Sequence, residues 1–279
     1  MKEIEESLHH APLGADTQYV NQYDPELLYP IQRDLNWQAR GIEQRGLPFT
    51  GVDIWNAYEV SWLNQKGKPV VRLAEFRIPA DSSHIIESKS FKLYLNSFNL
   101  TAFATETEVQ QRMQADLSAA AGAEVQVTLL ALDGAGQVSQ FSGECIDELD
   151  VDITDYEPNA ECLGLIGGAS ADVVTESLYS HLLKSNCPVT GQPDWASIVV
   201  EYSGAPLNRE GLLKYLVSYR EHGDFHEQCV ESIFMDIWQQ CQPRELTVYA
   251  RYLRRGGLDI NPYRSSQAVV PENLRLSRQ

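Results

Sequence analysis

Residues 186–194 read NCPVTGQPD and place a thiol beside a tight turn. Pro188 favours an extended conformation at Cys187, and the TGQP sequence turns the chain so that Asp194 can return towards the sulfur. The arrangement could hold a nucleophilic cysteine next to a carboxylate that exchanges a proton with it. Free cysteine is also among the most buried residue types, so the same residues could simply pack.

His226 and Glu227 stand in the sequence DFHEQC, at the predicted start of a helix. A helix N-terminus favours negative charge, which suits Glu227 or a bound anion, and histidine is the usual general acid near neutral pH. Alternatively, His226 only caps or packs. Cys229 lies one turn later on the same face, so a reversible Cys187–Cys229 disulfide is a hypothesis if His226 faces Cys187.

Two basic segments could bind an anion. The apolar spacing of residues 85–98 predicts a helix that begins at Glu87, with Ser88 as its candidate cap. Lys89 and Lys92 lie opposite the apolar face and form either a phosphate-binding pair or an ordinary solvated surface.

The second basic segment, RRGGLDINPYRS at 254–265, contains Arg254, Arg255 and Arg264 around a glycine pair and a proline. It could clamp an anion, or it is a C-terminal loop that only packs. The glycines of 162–174 do not follow the G-x-G-x-x-G pattern, so no Rossmann-type site is predicted.

The elements that must position these residues form two modules of the same order, strand, helix, helix, strand. In the first module they are predicted at 56–63 and 70–78 (a hairpin), 87–98, 105–122 and 124–132. In the second they are predicted at 195–204, 209–223, 225–242 and 245–253. The motifs YLNSF (94–98) and YLVSY (215–219) also match, which indicates an internal duplication.

The segment before Cys187 is predicted to be a helix. In residues 169–185, Val174, Leu178 and Leu182 recur at a spacing of four. Cys187 would then follow a helix C-terminus, where the dipole opposes a thiolate. A nucleophilic role would therefore need help from another group.

The modules are joined by residues rich in acids, with seven between Glu144 and Glu157. These residues predict a solvated connector, or an edge strand whose charge opposes aggregation. The sequence therefore predicts an N-terminal module over 1–135, an acidic connector over 136–168 and a C-terminal module over 169–279.

Composition excludes several classes of partner. The 279 residues carry 39 acids and 22 bases, a net charge of −17, which argues against nucleic acid or an anionic membrane surface. The acidic N-terminus does not resemble a secretory signal, and no apolar run is long enough to cross a bilayer. Five irregularly spaced cysteines without a C-x-x-C pair predict no metal site and indicate free thiols in a reducing cytoplasm.

The octet ESKSFKLY at 87–94 resembles, at every position, the signature of the nitrile reductases that convert 7-cyano-7-deazaguanine into its aminomethyl form for the tRNA base queuosine. The segments CPVTGQPD (187–194) and FHEQC (225–229) are similar to two further segments of that family. Additional similarity at 47–64 and 255–265 extends the resemblance over nearly the whole chain, in the long form with two modules.

The resemblance implies an α+β fold of tandem tunnelling-fold modules, in which antiparallel sheets carry helices packed on one face. Such modules assemble into barrels, so a homodimer or larger oligomer is expected. The resemblance also implies NADPH as the cofactor and 7-cyano-7-deazaguanine as the small-molecule substrate.

The resemblance further implies residue roles. Cys187 would add to the nitrile carbon and form a thioimidate, Asp194 would relay the proton, and His226 would be a proton donor. The implied base-binding residues are Glu227, Glu87 and Ser88, and the implied cofactor-binding residues are Lys89, Ser90, Lys92, Arg255 and Gly256.

Two other functions remain open on the residues. A Cys–His thiol hydrolase or amidotransferase would use the same nucleophile, but it would leave the 87–94 motif unexplained. A non-catalytic purine- or pterin-binding protein of the same fold is the second alternative, and the intact Cys187, Asp194 and His226 count against it.

Overall fold

The computed structural model describes residues 19–39, 42, 46–134 and 136–279. The chain divides into two compact units. The first contains the described residues up to Leu47 together with Val52–Gln137 and Arg254–Asp259, and the second contains Pro48–Gly51, Val138–Leu253 and Ile260–Gln279. Most of the segment predicted as a connector therefore belongs to the second unit, and a short C-terminal segment returns to the first.

The sheet of the first unit contains β3 (Pro69–Pro79), β5 (Gln126–Leu130) and β2 (Thr50–Leu63) from Val52 onwards, antiparallel and in the order β5-β3-β2. A separate antiparallel pair joins β1 (Pro30–Gln32) to β4 (His84–Ile86). The helices are α1 (Asp34–Ala39), α2 (Ser88–Ser97) and α3 (Glu106–Ala121). The predicted hairpin turn is made by Gly67, whose φ of 75° lies in the left-handed region that glycine tolerates.

Helices cover one face of this sheet. Trp55 of β2 and Phe76 of β3 are cross-strand partners, so both side chains point to the same face. Phe91 of α2 packs edge-on against both rings, at centroid distances of 4.9 and 5.0 Å. All three rings are fully buried, and they form the centre of the core of this unit.

The strands of the second unit are β6 (Glu144–Cys145), β7 (Val174–Asn186), β8 (Pro193–Gly204), β9 (Glu245–Tyr252) and most of β10 (Leu258–Ser265), in the order β10-β9-β8-β7-β6. The first two residues of β10, Leu258 and Asp259, are counted with the first unit. Their pairing is antiparallel except between β6 and β7. The helices are α4 (Arg209–Ser218) and α5 (His226–Cys241). Single 3₁₀ turns occur at Pro25–Leu27, Leu132–Gly134, Ala160–Cys162 and Tyr219–Glu221.

The helix predicted over 169–185 is wrong, because most of this segment is strand β7, which pairs with β8 along its length. A spacing of four is also an even number, so Val174, Leu178 and Leu182 share one face of a strand as well as one face of a helix. Cys187 consequently does not follow a helix C-terminus, and the unfavourable dipole expected there is absent from this part of the structure.

The two modules repeat the same contacts. The Tyr94 hydroxyl of α2 donates to Asp116 of α3 at 2.6 Å, and the Tyr215 hydroxyl of α4 donates to Asp236 of α5 at 2.6 Å. In each module the serine three residues after the tyrosine donates to the tyrosine carbonyl, again at 2.6 Å. The predicted α+β class, with antiparallel sheets and helices packed on one face, is confirmed. Among the described residues, no helix combines the length and the apolarity needed to span a membrane.

Candidate active site

Cys187 lies at the end of a hairpin in the second unit. The last pair between β7 and β8 joins Asn186 to Pro193, and Cys187 is the next residue. Its N–H donates to the Gln192 carbonyl at 2.9 Å, and its carbonyl accepts from the N–H of Gly191 at 3.0 Å. The thiol is buried, with 5% of the residue exposed. The rigid turn predicted from the sequence is therefore present, on a strand rather than on a helix.

The hairpin end is hydrogen-bonded to the loop that precedes α5. The Asn186 N–H donates to the His222 carbonyl at 2.7 Å, and the Asp224 N–H donates to the Asn186 carbonyl at 3.1 Å. The Lys184 ammonium joins the Asn186 side chain at 2.7 Å to the Arg220 carbonyl at 2.5 Å. These bonds fix the thiol-bearing turn relative to the first residues of α5.

Asp194 and His226 are in contact at the start of α5. The Asp194 Oδ2 lies 3.2 Å from the His226 Nε2. Asp194 pairs with Ser185 across the hairpin, and its side chain points to the face on which α5 packs. His226 is the first residue of α5, so the positive end of the helix dipole favours a negative charge on Asp194. The pair can hold a proton and move it between the two side chains.

The ring of Tyr252, in β9, stacks on the face of the His226 ring. The two rings are parallel within 3°, with centroids 3.7 Å apart, and Tyr252 is fully buried. Burial raises the pKa of the Tyr252 phenol well above its ordinary value, and electrostatic interaction with Cys229 and Asp194 acts in the same direction. The phenol therefore stays protonated, and its ring serves as a flat support for the imidazole.

The strand of Tyr252 is anchored at its backbone. The Tyr252 N–H donates to the Asn261 side chain at 3.1 Å, and its carbonyl accepts from the Gln279 side chain at 2.5 Å. Sequence reasoning missed this residue. The alternation of ELTVYARYL places Tyr252 on the same buried face as Ala250, and this was the only signal for it.

Glu227 and Cys229 follow His226 in α5 and are both buried, at 3% and 0% exposure. All five cysteines, each within the described part of the chain, are free thiols. The Cys187–Cys229 disulfide therefore stays a hypothesis about an oxidised state.

The other predicted site residues belong to the first unit. Glu87 is the N-cap of α2 and accepts from the N–H groups of Lys89 at 2.6 Å and Ser90 at 2.7 Å. Burial raises the pKa of its carboxyl group, although both hydrogen bonds act in the opposite direction. The prediction that Ser88 caps this helix is wrong, because Ser88 is the first helical residue and Glu87 is the longer acceptor that reaches back.

Ser90 is fully buried beneath the start of α2. Its hydroxyl donates to the Glu87 carbonyl at 2.7 Å and accepts from the Tyr29 N–H at 3.0 Å. A hydrogen bond from this hydroxyl to a cofactor phosphate would require the hydroxyl to give up its donation to the Glu87 carbonyl. Lys89 and Lys92 are partly exposed on the same helix.

Lys92 and Gly256 lie side by side at a cavity of about 230 Å³. A Cβ atom at Gly256, where φ is 62°, would lie 3.2 Å from the Lys92 Cε. The cavity is also lined by Glu59, Asn96 and Asn99. The glycine therefore leaves room for the lysine stem at the cavity wall.

The segment 254–265 is not one anion clamp, because its arginines have different environments. Arg254 lies over the Tyr58 ring, 4.4 Å from its centroid. Arg264 belongs to strand β10, is fully buried, and pairs with Glu231 at 2.7 Å. Of the two cofactor contacts predicted in this segment, Arg255 and Gly256, the glycine lines the cavity.

Two family models match this chain. A model described as "Nitrile reductase, 7-cyano-7-deazaguanine-reductase N-term" matches residues 19–129, and a model described as "QueF-like protein" matches residues 193–270. Together they cover more than half of the chain. The chain belongs to the QueF family of nitrile reductases. A solved structure described as "Crystal structure of the archaeosine synthase QueF-Like in the apo form" is 23% identical with a TM-score of 0.31, over 37% of this chain and 99% of that chain.

The matched ranges of this nitrile reductase contain most of the predicted site. The octet 87–94 lies in the first range, and Asp194, His226 and Glu227 lie in the second. Cys187 precedes the second range by six residues. Its place beside the matched residues comes from the hairpin and its hydrogen bonds.

Proposed function

We propose that this nitrile reductase converts the nitrile of 7-cyano-7-deazaguanine into a primary amine at the expense of NADPH, through a thioimidate on Cys187, for queuosine synthesis. The observation that carries the proposal is the construction of the thiol site. A buried cysteine lies on a rigid turn, and the residue before it, Asn186, is hydrogen-bonded to the loop that precedes α5. The first residue of that helix, His226, contacts Asp194 of strand β8.

Addition of the thiol to the nitrile is the first step. The Cys187 sulfur bonds to the electrophilic nitrile carbon while one π bond of the nitrile breaks. The thiol proton passes to the nitrile nitrogen, and Asp194 is the group that takes and returns it. Burial of Cys187 and Asp194 keeps water away from the adduct.

NADPH, when bound, supplies two hydrides, which together with two protons convert the nitrile carbon into a CH₂ group and yield two NADP⁺. Between the two reductions the carbon–sulfur bond breaks, and Cys187 leaves as the thiol. His226 donates a proton to the substrate nitrogen and is recharged through Asp194, 3.2 Å away. The stacked Tyr252 ring keeps the imidazole in the plane that this exchange requires.

Glu227 is the residue proposed to recognise the purine-like ring. Its carboxylate can accept from a ring N–H and an exocyclic amine, which gives two charge-assisted hydrogen bonds. Glu87 is proposed to help Glu227 bind the ring. Its two oxygens each accept one backbone N–H, and a carboxylate has about four acceptor positions, so it can accept further bonds.

The basic side chains and the cavity of the first unit are suited to binding one part of a dinucleotide. Lys89, Lys92 and Arg255 supply positive charge for phosphates, and Gly256 leaves space at the cavity wall. Glu59, on the same cavity, can accept from a ribose hydroxyl or a carboxamide N–H. The cavity is smaller than most small-molecule sites, so it is suited to one portion of the cofactor.

Mass spectrometry of the protein mixed with the nitrile substrate, without NADPH, tests the proposal. The wild type should gain the mass of one ligand, and Cys187→Ala should gain none. Asp194→Asn keeps the thiol and should slow adduct formation about 10²–10⁴-fold, with much less effect on binding. On addition of NADPH, two cofactors should be oxidised per nitrile. An adduct in Cys187→Ala, or no NADPH oxidation, would overturn the proposal.

A further inference from the structure

We propose that Cys145, Asp147 and His181 form a binding site for Zn²⁺ or another thiophilic divalent cation. One ligand atom from each residue, a sulfur, a carboxylate oxygen and an imidazole nitrogen, lies within 4.8 Å of the others. A mixed set of sulfur, nitrogen and oxygen donors suits Zn²⁺ and its spectroscopic substitute Co²⁺. The three residues belong to the second unit.

The site is built on the edge of the sheet. Strand β6 pairs in parallel with β7 and places Cys145 opposite Tyr179. The β7–β8 register shifts between Ser180 and Leu183, an irregularity that contains His181. Such bulges re-aim side chains at sheet edges. The edge strand and the bulge together bring the thiol and the imidazole to one place.

Asp147 is held in position by the bulge. Its carboxylate accepts from the Ser180 hydroxyl at 2.6 Å and from the His181 N–H at 3.0 Å. A carboxylate offers about four acceptor positions, so oxygen lone pairs remain for a cation. The oxygen ligand is therefore oriented without a metal.

The His181 ring is oriented as well. Its Nδ1 is hydrogen-bonded to the Ser197 hydroxyl at 2.8 Å, and its edge packs against the Tyr179 ring at 5.4 Å. Metal-binding histidines usually have such a second hydrogen bond, which fixes the ring. Two of the three ligands are thus in place before a cation arrives.

A cation from solution can reach this site. Cys145 and His181 are exposed and Asp147 is half-buried. Donors of tetrahedral zinc lie about 2.0–2.3 Å from the ion, hence about 3–4 Å from one another, so side-chain shifts of about 1 Å close the site. Water takes the fourth position. The thiol proton of Cys145 is released to solvent when the sulfur binds.

Arg278 places a positive charge next to the candidate site. Its guanidinium donates to the His181 carbonyl at 2.8 Å, and it interacts electrostatically with Asp147. This charge lowers the affinity for a cation. Since the chain as a whole has a net charge of −17, the surrounding potential acts in the opposite direction.

The site is separate from the matched family segments. Cys145, Asp147 and His181 all lie between residues 129 and 193, which neither family model covers. A cation here would fasten the edge strand β6 to β7 and would take no part in nitrile reduction. A second group of candidate ligands, His222, Asp224 and Cys229, lies next to His226, so the test must separate the two.

Titration of the full chain with Co²⁺ under anaerobic conditions tests the proposal. We expect one Co²⁺ per chain, a thiolate-to-cobalt charge-transfer band in the near ultraviolet, and loss of the spectrum when Zn²⁺ is added. Cys145→Ser should abolish the band and His181→Ala should weaken the binding at least 10-fold. Cys162→Ser, which alters another free and partly exposed thiol, is the matched control and should leave the spectrum unchanged.

Two other variants decide where a thiolate band comes from. If the band persists in Cys145→Ser and disappears in Cys229→Ser or Cys187→Ala, the cation binds beside the active site and the proposal is overturned. Absence of a band in the wild type also overturns it. As a second readout, Zn²⁺ should raise the Tm of the wild type and not that of Cys145→Ser. None of these readouts uses the nitrile or NADPH, so their outcome does not depend on whether the proposed function is correct.

Discussion

At the scale of residues, His226 is the best-positioned group of the candidate site, because it is held from two sides. Asp194 contacts its Nε2 at 3.2 Å, and the Tyr252 ring lies parallel to it at 3.7 Å. An imidazole that exchanges protons must keep its nitrogen aligned with donor and acceptor, and small misalignments reduce the rate strongly. Tyr252 is therefore a positioning residue for His226.

Tyr252→Leu is expected to slow nitrile reduction about 10- to 100-fold, because the flat support of the imidazole is lost. Tyr252→Phe keeps the ring and should stay within a few-fold of the wild type. Steady-state kinetics should place the loss in kcat, with little change in KM for the nitrile.

Unfolding by urea separates this effect from a loss of stability. Tyr252→Leu should lower the free energy of unfolding by about 2 kcal/mol, as other replacements of a buried aromatic side chain by a smaller one do. If the folded Leu and Phe variants have equal kcat values, the ring does not position His226.

At the scale of elements, sequence patterns predicted most helices and strands of both modules to within a few residues. The helices predicted at 209–223 and 225–242 are observed as α4, with a following 3₁₀ turn, and α5. Strand β7 was mistaken for a helix, since an apolar spacing of four fits both structures. The pairing of β7 with the neighbouring strand β8, which the spacing does not show, separates the two.

The candidate site was predictable only in part. The order of residues in CPVTGQPD indicated a rigid turn, and the helix start at His226 was visible from its pattern. The hydrogen bonds of Asn186 to the loop before α5, and the stacking of Tyr252, join residues far apart in the chain. No local periodicity encodes such contacts, so they required the structure.

The N-cap of α2 gives a pH-dependent prediction. Because burial raises the pKa of Glu87 above 4.5, its usual value, the folded state disfavours the charged form. The stability that the protonated group provides is present below pH 4.5 and is lost as the pH rises through the raised folded-state pKa. Glu87→Gln mimics the protonated carboxyl. The free energy of unfolding of this variant, relative to that of the wild type, should therefore increase as the pH rises through the folded-state pKa. Urea unfolding of both proteins at several pH values measures the difference.

Thr105→Ala is the matched control for this experiment. Thr105 caps α3 through a neutral hydroxyl, which accepts from the Glu108 N–H at 3.1 Å. Loss of this hydroxyl should lower the free energy of unfolding by about 1 kcal/mol at every pH. A Glu87→Gln variant that becomes relatively less stable as the pH rises would show that the charged form of Glu87 is favoured after all.

At the scale of the whole molecule, net charge opposes self-association. Each chain carries −17, so two copies repel one another over a Debye length of about 10 Å at 0.1 M salt. We therefore predict that the homodimer expected for tandem modules of this family is held mainly by apolar and backbone contacts. The edge strand β5, and the exposed Val269 and Val270 of the second unit, offer such contacts.

Added salt should thus strengthen the dimer rather than dissociate it. Sedimentation equilibrium should give a particle of twice 31.4 kDa, with a dissociation constant that falls as NaCl is raised, because screening weakens the repulsion between the chains. Sodium sulfate at equal ionic strength should act at least as strongly, since it also favours apolar burial. A dimer that dissociates on addition of NaCl would instead have an interface made of ion pairs, and a mass of 31.4 kDa at every concentration would leave the chain a monomer.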